Sequence, residues 1–565
     1  MLINYVMGID LGTTNSAVCL WKEGEAVLIP NQWGEVLTPS VVGLDEQANL
    51  IIGRTARDRL QTHPGLTQAS FKRYMGTEVL LTLGSRQFRA EELSALLLRQ
   101  LKEDAENWLG QKLTRAVITV PAYFNDVQRR AVKNAARLAG LDVMRLLNEP
   151  TAASLAFGLL ENREQKYLTF DLGGGTFDVS VIDMFEGVVE VRASSGDIRL
   201  GGDDFSQAIV QWMLSQHPEL KTSPPGLAAE LLAKAETMKQ TLSHAAEAEA
   251  SLEWQGRRWN WTLTEGQLAA CCQPLLMRLQ HPIQQALHDA RFSLQDLDHI
   301  LLVGGATRMP LVRQTVARLF GRFPRHDLHP DEAVALGAGI QAGMVMADAA
   351  VEDIILTDVM PFSLGIEVIK RHGNQIEPGF FLPLIERNTF LPVSKSQTVN
   401  TVSDNQPSIL LKIYQGEGRR VQDNVFLGEM SINVPPRPAG ELTVDVRFTY
   451  TLDGLLEVEC RYDGSPMTAR MVIEKVPGQM SEEQITASLQ MLAGIKQPPR
   501  ERYENRELLA RCARLYERLL GDERAWIDRL TTEFEQALES QDPRRIASSK
   551  ENAERFLQQY AEDAL

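Results

Sequence analysis

A strand that ends in an aspartate and leads into a glycine-rich turn with a threonine occurs twice in this chain. The first copy is Ile9–Thr14, and the second is Phe170–Thr176. From Asp10 to Asp171 the offset is 161 residues, which is about the length of one domain. The duplication predicts two α/β lobes whose turns face each other across a cleft.

The chemistry of both turns suits the phosphates of a nucleoside triphosphate. Glycines allow backbone N–H groups to approach phosphate oxygens closely, and threonine hydroxyls add further donors. The carboxylates of Asp10 and Asp171 can hold Mg²⁺ through water. Neither turn has the G-x-x-x-x-G-K-[ST] pattern, so the chain is not a P-loop protein.

Length and composition narrow the class of protein. A chain of 565 residues is too long for one core and favours about three or four domains. Its net charge of −16 argues against nucleic acid as the main partner, and it has no apolar run long enough to cross a membrane. The N-terminus carries no basic stretch or cleavage site, and the 5 cysteines form no C-x-x-C pair. We therefore expect a cytoplasmic protein with neither nucleic acid nor membrane as partner.

The pattern of apolar residues changes along the chain. Up to about residue 350, apolar runs alternate with helical segments that include 91–109, 126–139 and 228–245, which is typical of an α/β fold. After about residue 360, short alternating strands with Pro and Gly turns indicate an antiparallel sandwich. One hairpin is predicted between Val444 and Cys460.

From about residue 478 the sequence becomes helical. Ser481 and Gln484 have the spacing of a capping box at the start of a first helix. Apolar residues at helical spacing follow in Leu508–Leu519 and in Trp526–Phe534. These stripes, with Trp526 among them, predict the core of a helical bundle.

A short apolar run joins the α/β part to the sandwich. Ile354, Ile355 and Leu356 stand between charged residues. A free tether would be polar, so we expect this run to dock on a surface. Burial of all three side chains would contribute several kcal/mol.

Six motifs, in order over nearly the whole chain, resemble the DnaK-type seventy-kilodalton heat-shock chaperones. They are DLGTTNS (Asp10–Ser16), VPAYFN (Val120–Asn125), NEPTAA (Asn148–Ala153), DLGGGTFD (Asp171–Asp178), LVGGATRMP (Leu302–Pro310) and PFSLGIE (Pro361–Glu367). The compact size and the stretch Ile385–Thr389 look most like the bacterial HscC branch of this family. The resemblance implies an α/β actin-like two-lobed ATPase domain (1–352), an interdomain linker (353–359), an antiparallel β-sandwich that binds peptide (360–477) and a short α-helical lid (478–565).

This resemblance implies an ATP-dependent molecular chaperone that binds and releases short hydrophobic segments of unfolded proteins. Hydrolysis of ATP to ADP and phosphate would change its affinity for peptide. The implied cofactors are ATP or ADP, Mg²⁺, and K⁺ beside Thr13, Thr176 and Asp178. The implied partners are client polypeptides and a J-domain co-chaperone. A nucleotide-exchange factor stays an open question, because the first lobe is short between Gly76 and Glu91.

The resemblance also assigns catalytic roles. Lys72 would reach the γ-phosphate and the attacking water, Glu149 would orient water, and Thr176 would act beside them. Asp10 and Asp171 would hold Mg²⁺ through water, since phosphoryl transfer needs charge neutralisation and positioning. The further residues implied for nucleotide binding are Gly12, Thr13, Thr14, Gly173, Gly174, Gly175, Asp178, Gly201, Gly202, Glu236, Lys239, Ser243, Gly304, Gly305, Arg308 and Asp331.

Other residues match the family's adenosine clamp, peptide groove and coupling relay. In the clamp, Glu236, Lys239 and Ser243 have the i, i+3 and i+7 spacing of one helix face. The groove positions are Ile366, Ile369, Val399, Val402, Ile409 and Leu411. The coupling positions are Pro121, Arg129, Lys133, Arg145, Ile354, Ile355, Leu356 and Asp358. Thr357 stands where the family usually has a leucine, so we expect weaker docking of the linker.

Three other classes of function remain open. Sugar kinases share the actin-like ATPase fold, but the C-terminal sandwich and lid argue against a kinase, and no base for an acceptor hydroxyl is recognisable. A nucleotide-gated binding protein that barely hydrolyses would not need Lys72 and Glu149. A filament-forming actin homologue would lack residues 360–565.

Overall fold

The structure, a computed structural model, divides into two compact units, Met1–Phe362 and Ser363–Leu565. The residues described are 4–60, 62–160, 164–185, 187–222, 225–254, 256–325, 329–351, 354–372, 375–451, 454, 456–462, 469–473, 500, 503–540 and 543–560.

The first unit alternates strands and helices along most of its length. Its strands and helices are β1 Val6–Asp10, β2 Asn15–Lys22, β3 Glu25–Ile29, β4 Thr38–Pro39, β5 Val41–Leu44, β6 Leu50–Ile52, α1 Arg54–Arg57, β7 Thr67–Ala69, β8 Leu81–Leu83, β9 Arg86–Phe88, α2 Ala90–Leu109, β10 Arg115–Val120, α3 Asp126–Leu138, β11 Asp142–Asn148, α4 Glu149–Leu160, β12 Gln165–Leu172, β13 Phe177–Phe185, β14 Val188–Asp197, α5 Gly202–Gln216, α6 Pro225–Thr241, β15 Glu247–Trp254, β16 Arg257–Thr264, α7 Glu265–Arg278, α8 Gln280–Ala290, β17 His299–Val303, α9 Pro310–Phe320, α10 Ala333–Val345 and β18 Ile355–Thr357.

Two sheets in this unit share one plan. The first has the strand order β11-β10-β1-β2-β3, and the second has the order β17-β12-β13-β14-β18. In each sheet the strand that ends at the glycine turn pairs in parallel on one side and antiparallel on the other. Asp10 and Asp171 stand at the carboxyl ends of these two strands, β1 and β12. The prediction of a duplicated α/β lobe is therefore confirmed.

Apolar side chains hold each sheet to its helices. Met7 and Ile9 of β1 are fully buried in the core of the first lobe, together with Leu97 of α2. Phe170 and Phe177 are likewise fully buried in the core of the second lobe, with ring centroids 4.7 Å apart. Both strand ends are therefore anchored in closely packed apolar cores.

The apolar run between the sheets and the second unit is docked as a strand. In β18, Ile355, Leu356 and Thr357 pair in parallel with Val188 to Glu190 of β14. Leu356 is only 8% exposed, whereas Ile355 is 57% exposed. Successive side chains of a strand point to opposite faces. The expectation that Ile354, Ile355 and Leu356 are all buried is therefore wrong for Ile355.

The second unit begins with two four-stranded sheets, ordered β20-β19-β22-β23 and β21-β24-β25-β26. All strand pairs within them are antiparallel, and β24 and β25 form the predicted hairpin. The strands are β19 Leu364–His372, β20 Gln375–Ile385, β21 Val393–Asn400, β22 Ser408–Gln415, β23 Val425–Asn433, β24 Thr443–Tyr450, β25 Leu456–Tyr462 and β26 Ala469–Ile473. Sheets of this kind fit the predicted sandwich.

Three described helices follow, α11 Tyr503–Arg518, α12 Gly521–Ser540 and α13 Pro543–Gln558. They share a core that includes Leu508 and Phe534. Trp526 is 48% exposed, so its predicted place in this core is wrong, and its neighbour Ile527 is fully buried instead. A shift of one residue turns a helical side chain by about a quarter of a turn or more, which is enough to exchange a core position for a surface one.

Some predictions fall outside the described residues. These are the capping box at Ser481 and Gln484, the domain boundary at 477 and 478, and the boundary at 352 and 353. Where the structure describes the chain, no helix is long and apolar enough to cross a membrane.

Candidate functional site

The two glycine turns touch each other. A Cβ atom added to Gly174 would lie 2.0 Å from Thr14 Oγ1, and one added to Gly175 would lie 2.9 Å from Thr13 Cγ2. Both distances are too short for any side chain, so only glycine permits this approach. The predicted facing of the turns is confirmed.

A third turn, at Gly201, closes on the second. A Cβ atom on Gly201 would lie 2.5 Å from the carbonyl carbon of Gly174. The N–H groups of Gly202 and Asp203 donate to the carbonyl oxygens of Gly173 (2.9 Å) and Gly174 (2.8 Å). Helix α5 begins at Gly202, so its positive end lies beside the turns, where it favours an anion such as phosphate.

Two serines brace the first turn. Ser40 Oγ donates to the carbonyl oxygen of Gly12 (2.8 Å), and the N–H of Gly12 donates to Ser16 Oγ (3.2 Å). The two hydroxyl oxygens are 3.0 Å apart. Sequence reasoning gave neither serine a role. Ser40 lies 28 residues from Gly12, and no local pattern joins the two.

Lys72 and Glu149 form a buried ion pair. The Lys72 Nζ lies 2.6 Å from Glu149 Oε1, and the two residues are 3% and 8% exposed. Lys72 belongs to a short 3₁₀ helix, Phe71–Tyr74, while Glu149 is the first residue of α4. The fold therefore brings together the two residues that the sequence predicted as the catalytic pair.

Three aspartates lie close to this pair and to one another. Burial and the charge of Glu149 raise the pKa of Asp10 to about 7 and that of Asp178 to about 7. The same two causes, with the neighbouring aspartates, raise the pKa of Asp171 well above its usual value. The Lys72 ammonium opposes these shifts but does not cancel them.

This excess of negative charge fits a bound cation. Carboxylate oxygens are the ligands that Mg²⁺ prefers, and Mg²⁺ usually keeps several of its waters. Within the described part of the chain, no three His, Cys, Asp or Glu side chains converge as a direct metal site. Two carboxylates such as Asp10 and Asp171 suit an ion that keeps most of its waters, as Mg²⁺ does.

The expected adenosine end of the site is built by α6 and α5. Lys239 Nζ donates to the carbonyl oxygen of Gly202 and to Ser206 Oγ, both at 2.9 Å, and pairs with Glu236 at 2.6 Å. Ser206 Oγ donates to Glu236 Oε2 at 2.6 Å. Ser206 was not predicted, yet it ties the two clamp residues to the helix that begins at the phosphate turns.

Ser243 does not share the helix face of Glu236 and Lys239. Helix α6 ends at Thr241, and the N–H of Ser243 donates to the carbonyl oxygen of Gln240 (3.0 Å). That bond spans three residues, so the chain has already tightened out of the α-helix. The prediction that one helix face carries all three residues is therefore wrong for Ser243, which lies in the turn before β15.

The loop after β17 returns to the strand ends. Gly304 has φ +84°, and a Cβ atom there would lie 2.8 Å from Asp171 Oδ1. A Cβ atom on Gly305 would lie 2.8 Å from Asp331 Oδ1, and Asp331 pairs with Arg308. The predicted residues of this loop thus contact one another and Asp171, the aspartate of the second lobe that was predicted to hold Mg²⁺.

A pair of contacts clasps the two sides of the cleft. Ser70 Oγ donates to Asp203 Oδ2 (2.6 Å), and Arg73 Nη2 donates to both carboxylate oxygens of Asp204 (3.1 Å each). Ser70 has φ +53°, a left-handed conformation that is unfavourable for a serine. None of these four residues was predicted. The clasp fixes the 3₁₀ helix that carries Lys72.

The end of the linker meets the residue before Glu149. Asn148 Nδ2 donates to Asp358 Oδ2 (2.8 Å), and Arg129 Nη2 donates to Asn148 Oδ1 (2.7 Å). Burial raises the pKa of Asp358, while the positive charges of Arg129 and Arg145 oppose that rise. The other predicted relay residues lie before and within α3: Pro121 and Lys133.

Thr357 carries a cost in the docked linker. Its Oγ1 is buried, and among the described residues it has no hydrogen-bond partner. A buried hydroxyl without a partner costs about 1–3 kcal/mol. This geometry supports the expectation that the threonine weakens docking.

Comparison with known proteins identifies the family. The family model described as Hsp70 protein matches residues 6–82 and 78–564. The chaperone protein DnaK of Thermotoga neapolitana is 41% identical over 486 residues, covering 83% of this chain and 80% of the relative. The DnaK of Thermotoga petrophila matches to the same extent. This chain belongs to the Hsp70 family.

Membership of the Hsp70 family establishes the activity in outline. The protein is an ATP-dependent chaperone that binds unfolded proteins, and its ATP hydrolysis is coupled to the chaperone cycle. Hsp70 proteins use ATP and ADP, generally with Mg²⁺, and act on client polypeptides together with co-chaperones. The kinase, the filament and the non-hydrolysing binding protein are therefore set aside.

The predicted groove residues of this Hsp70 protein differ in exposure. Ile366 and Leu411 are 1% and 3% exposed, whereas Ile369 and Val402 are 39% and 38% exposed. Val399 and Ile409 are half-buried. Spacing in the sequence could not separate core positions from surface positions, and burial does so here. The exposed members are the better candidates for contact with peptide.

Proposed function

We propose that this Hsp70 protein hydrolyses ATP where its two glycine turns meet, with Lys72 and Glu149 as the catalytic pair. The observation that carries this proposal is the buried pair itself, 2.6 Å from Nζ to Oε1, beside three aspartates with raised pKa values. A buried lysine and glutamate are costly to keep, and a site that needs both charges gives the reason for them.

In this proposal the turns hold the phosphates and the pair acts on the γ-phosphate. Backbone N–H groups of Gly12–Thr14, Gly173–Thr176 and Gly201–Gly202 would donate to phosphate oxygens. Lys72 would donate to a γ-phosphate oxygen and stabilise the charge that develops in the transition state, while Glu149 would accept from the attacking water and orient it. Mg²⁺, held through water by Asp10 and Asp171, would neutralise phosphate charge.

The proposed nucleotide contacts extend to both ends of the ligand. The excess carboxylate charge near Asp178 supports a K⁺ ion beside Thr13 and Thr176. Glu236 and Lys239 would bind the ribose hydroxyls, because both present charged groups held in place by Ser206. The further members of the adenosine site would be Ser243, Gly304, Gly305, Arg308 and Asp331.

The linker would report the state of the nucleotide to the peptide site. We propose that β18 docks when ATP is bound and is released with ADP. The contact of Asp358 with Asn148 supports this coupling, because Asn148 precedes the catalytic Glu149. A J-domain co-chaperone would act on the nearby surface. The relay positions are Pro121, Arg129, Lys133 and Arg145.

The remaining proposals concern the rest of the chain. Peptide would bind at the sandwich through the exposed and half-buried groove positions, and the C-terminal helices would act as a lid. The domain limits would be 1–352, 353–359, 360–477 and 478–565. The protein would act in the cytoplasm as a member of the HscC branch.

One experiment on the full-length protein tests the coupling. The variant Leu356→Asp places a charge at the buried position of β18, whereas Ile355→Asp places the same charge at the exposed neighbour. The readout is the ratio of peptide off-rates with ATP and with ADP. We expect the ratio to fall to about 1 in Leu356→Asp, because burying an unpaired carboxylate is strongly unfavourable. Ile355→Asp should keep most of it.

Two results would contradict the proposal. A ratio that survives in Leu356→Asp would make the linker a mere tether. An equal loss in both variants would show that burial of Leu356 is not what docks the strand. Because linkage is reciprocal, Leu356→Asp should also weaken the preference for ATP over ADP, whereas Ile355→Asp should leave that preference nearly unchanged.

A further inference from the structure

Helix α7 carries two neighbouring cysteines that the proposed chemistry does not use. The Sγ atoms of Cys271 and Cys272 are 3.8 Å apart. Cys271 is partly exposed at the surface of the second lobe, while Cys272 is fully buried in its core. The Cys271 thiol is therefore accessible to a small reagent from solvent, and the buried Cys272 thiol lies next to it.

The two thiols differ in reactivity because of their contact. The Cys271 thiol donates to the carbonyl oxygen of Leu268 (3.3 Å), which leaves Cys272 as the donor to Cys271, and this contact lowers the pKa of Cys271 below its usual value. The same bond, together with burial, raises the pKa of Cys272. The thiolate is the nucleophilic form of cysteine, so the partly exposed Cys271 is the more reactive of the two.

The helix is weak at this point. Pro274 lies inside α7 and has no N–H to donate to the carbonyl oxygen of Ala270, one turn earlier. A disulfide between adjacent residues does not fit an α-helix, because their Cα atoms are about 3.8 Å apart and ordinary disulfides span roughly 4.4–6.8 Å. The missing bond lowers the cost of the local distortion that such a disulfide needs.

The cysteines also lie close to the nucleotide site. Cys272 shares the core of the second lobe with Ala235, Met238 and Leu242, which lie on α6 or just after it. Lys239 of the same helix is near enough for its positive charge to act on the Cys272 thiol. A distortion of α7 at Cys272 would therefore be felt by the helix that carries Glu236 and Lys239.

We propose that Cys271 and Cys272 are a peroxide-reactive dithiol whose oxidation to a disulfide loosens the nucleotide site. In the first step the Cys271 thiolate attacks a peroxide oxygen; the S–O bond forms, the O–O bond breaks, and hydroxide leaves. In the second step Cys272 sulfur attacks Cys271 sulfur; the S–S bond forms, the S–O bond breaks, and water leaves with the Cys272 proton. Two thiols are oxidised, and one hydrogen peroxide is reduced to two waters.

The product would be easy to reduce. Strained disulfides have more oxidising potentials and are the labile, regulatory ones. A cellular dithiol would therefore return the pair to the reduced form. The effect on nucleotide rests on the adenosine site proposed above, whereas the chemistry of the two thiols does not.

The test treats the reduced full-length protein with hydrogen peroxide, unfolds it, and then blocks free thiols with N-ethylmaleimide. The tryptic peptide that ends at Arg278 should lose two hydrogen atoms and take up no N-ethylmaleimide. Affinity for fluorescent ADP should fall on the order of tenfold and recover with dithiothreitol. Cys271→Ser should prevent both changes, and Cys460→Ala, a buried cysteine of the second unit, should prevent neither.

Different results would contradict the dithiol, its link to the nucleotide site and the adenosine site. If Cys271 and Cys272 both take up N-ethylmaleimide after peroxide treatment, or if Cys271 proceeds to the sulfinic acid without a disulfide, the dithiol proposal is wrong. If the disulfide forms but ADP affinity stays the same, the link to the nucleotide site is wrong. Reduced Lys239→Ala serves as the separate control: unchanged ADP affinity in that variant would count against the adenosine site, not against the dithiol.

Discussion

The two lobes of the first unit have sheets of the same plan, but the segments added to each sheet differ. In both sheets a central strand ends in an aspartate and a glycine turn. The sheets differ at the outer edge, where β14 of the second lobe takes up the linker strand β18, while the described part of the first sheet ends at β3. Lys72 and Glu149 come only from the first lobe's segments, and α6 only from the second.

The duplicated strand and turn have a different role from the segments that occur in only one lobe. The shared strand and turn create a place for phosphate, which many proteins could use. In the proposed function, hydrolysis depends on the ion pair of the first lobe, and communication depends on the occupied edge of the second. Both proposed roles therefore fall to parts that have no counterpart in the other lobe.

The largest expected effect comes from removing the pair that only the first lobe has. Lys72→Ala should slow single-turnover ATP hydrolysis by roughly 10²–10³-fold, because the lysine acts on charge that develops in the transition state. Affinity for ATP should change little, since the turns, Mg²⁺ and the adenosine site carry ground-state binding. Rapid-quench measurements and a nucleotide titration check the two parts.

A matched variant guards against a trivial cause. Lys72→Ala leaves Glu149 buried without a partner, which destabilises a protein by itself. The double variant Lys72→Ala with Glu149→Gln removes that charge. If the double variant hydrolyses ATP at the wild-type rate, then neither residue belongs to the catalytic machinery.

A smaller effect follows from a carboxylate that only the second lobe has. Asp171 pairs across its strands with Asp178, whereas Asp10 pairs with Ala17. The raised pKa of Asp178, about 7, means that the folded protein holds a proton that the unfolded chain releases near pH 4. Stability should therefore fall as pH rises from about 4 to about 7 and then level off.

Asp178→Asn should remove this dependence and keep the hydrogen bond from the Tyr123 N–H, now 3.0 Å long. At about pH 8 the nucleotide-free variant should be more stable than wild type by a few kcal/mol, with almost no difference near pH 4. Thermal unfolding across this range provides the measurement. The exposed Asp58→Asn serves as control, and a pH profile identical to wild type in Asp178→Asn would refute the assignment.

The smallest expected effect concerns the occupied edge. Thr357→Val removes the buried hydroxyl that lacks a partner among the described residues, and should strengthen docking by about 1 kcal/mol. The ratio of peptide off-rates with ATP and with ADP should rise about fivefold. Thr357→Ser keeps the hydroxyl and should show no gain. A rise in both variants would mean that the hydroxyl is not the cause.

Local features of the fold could be predicted from the sequence, because they depend on neighbouring residues. The hairpin of β24 and β25, the helix α3 and the two aspartate-glycine turns all follow from periodicity and turn residues. The motifs of the family also led to Lys72 and Glu149, although 77 positions separate them. A single residue without its motif would not have identified either.

Contacts that depend on tertiary register could not be predicted. The clasp joins Ser70 to Asp203 across 133 positions, and neither residue has a local signal. The exposure of Ile355 depends on which face of β18 is buried, and amino-acid composition does not specify that face. Ser243 shows the same limit, because the helix tightened before the predicted face was complete.

Asn148 and Glu149 are adjacent in the chain at the end of β11, and this has a kinetic consequence. One side chain holds the linker through Asp358, and the next holds Lys72, so a single peptide bond separates the two contacts. A backbone rotation there would move both side chains in the same event. Release of the linker and reorientation of the glutamate should therefore show one common relaxation time, with no delay for a signal to travel.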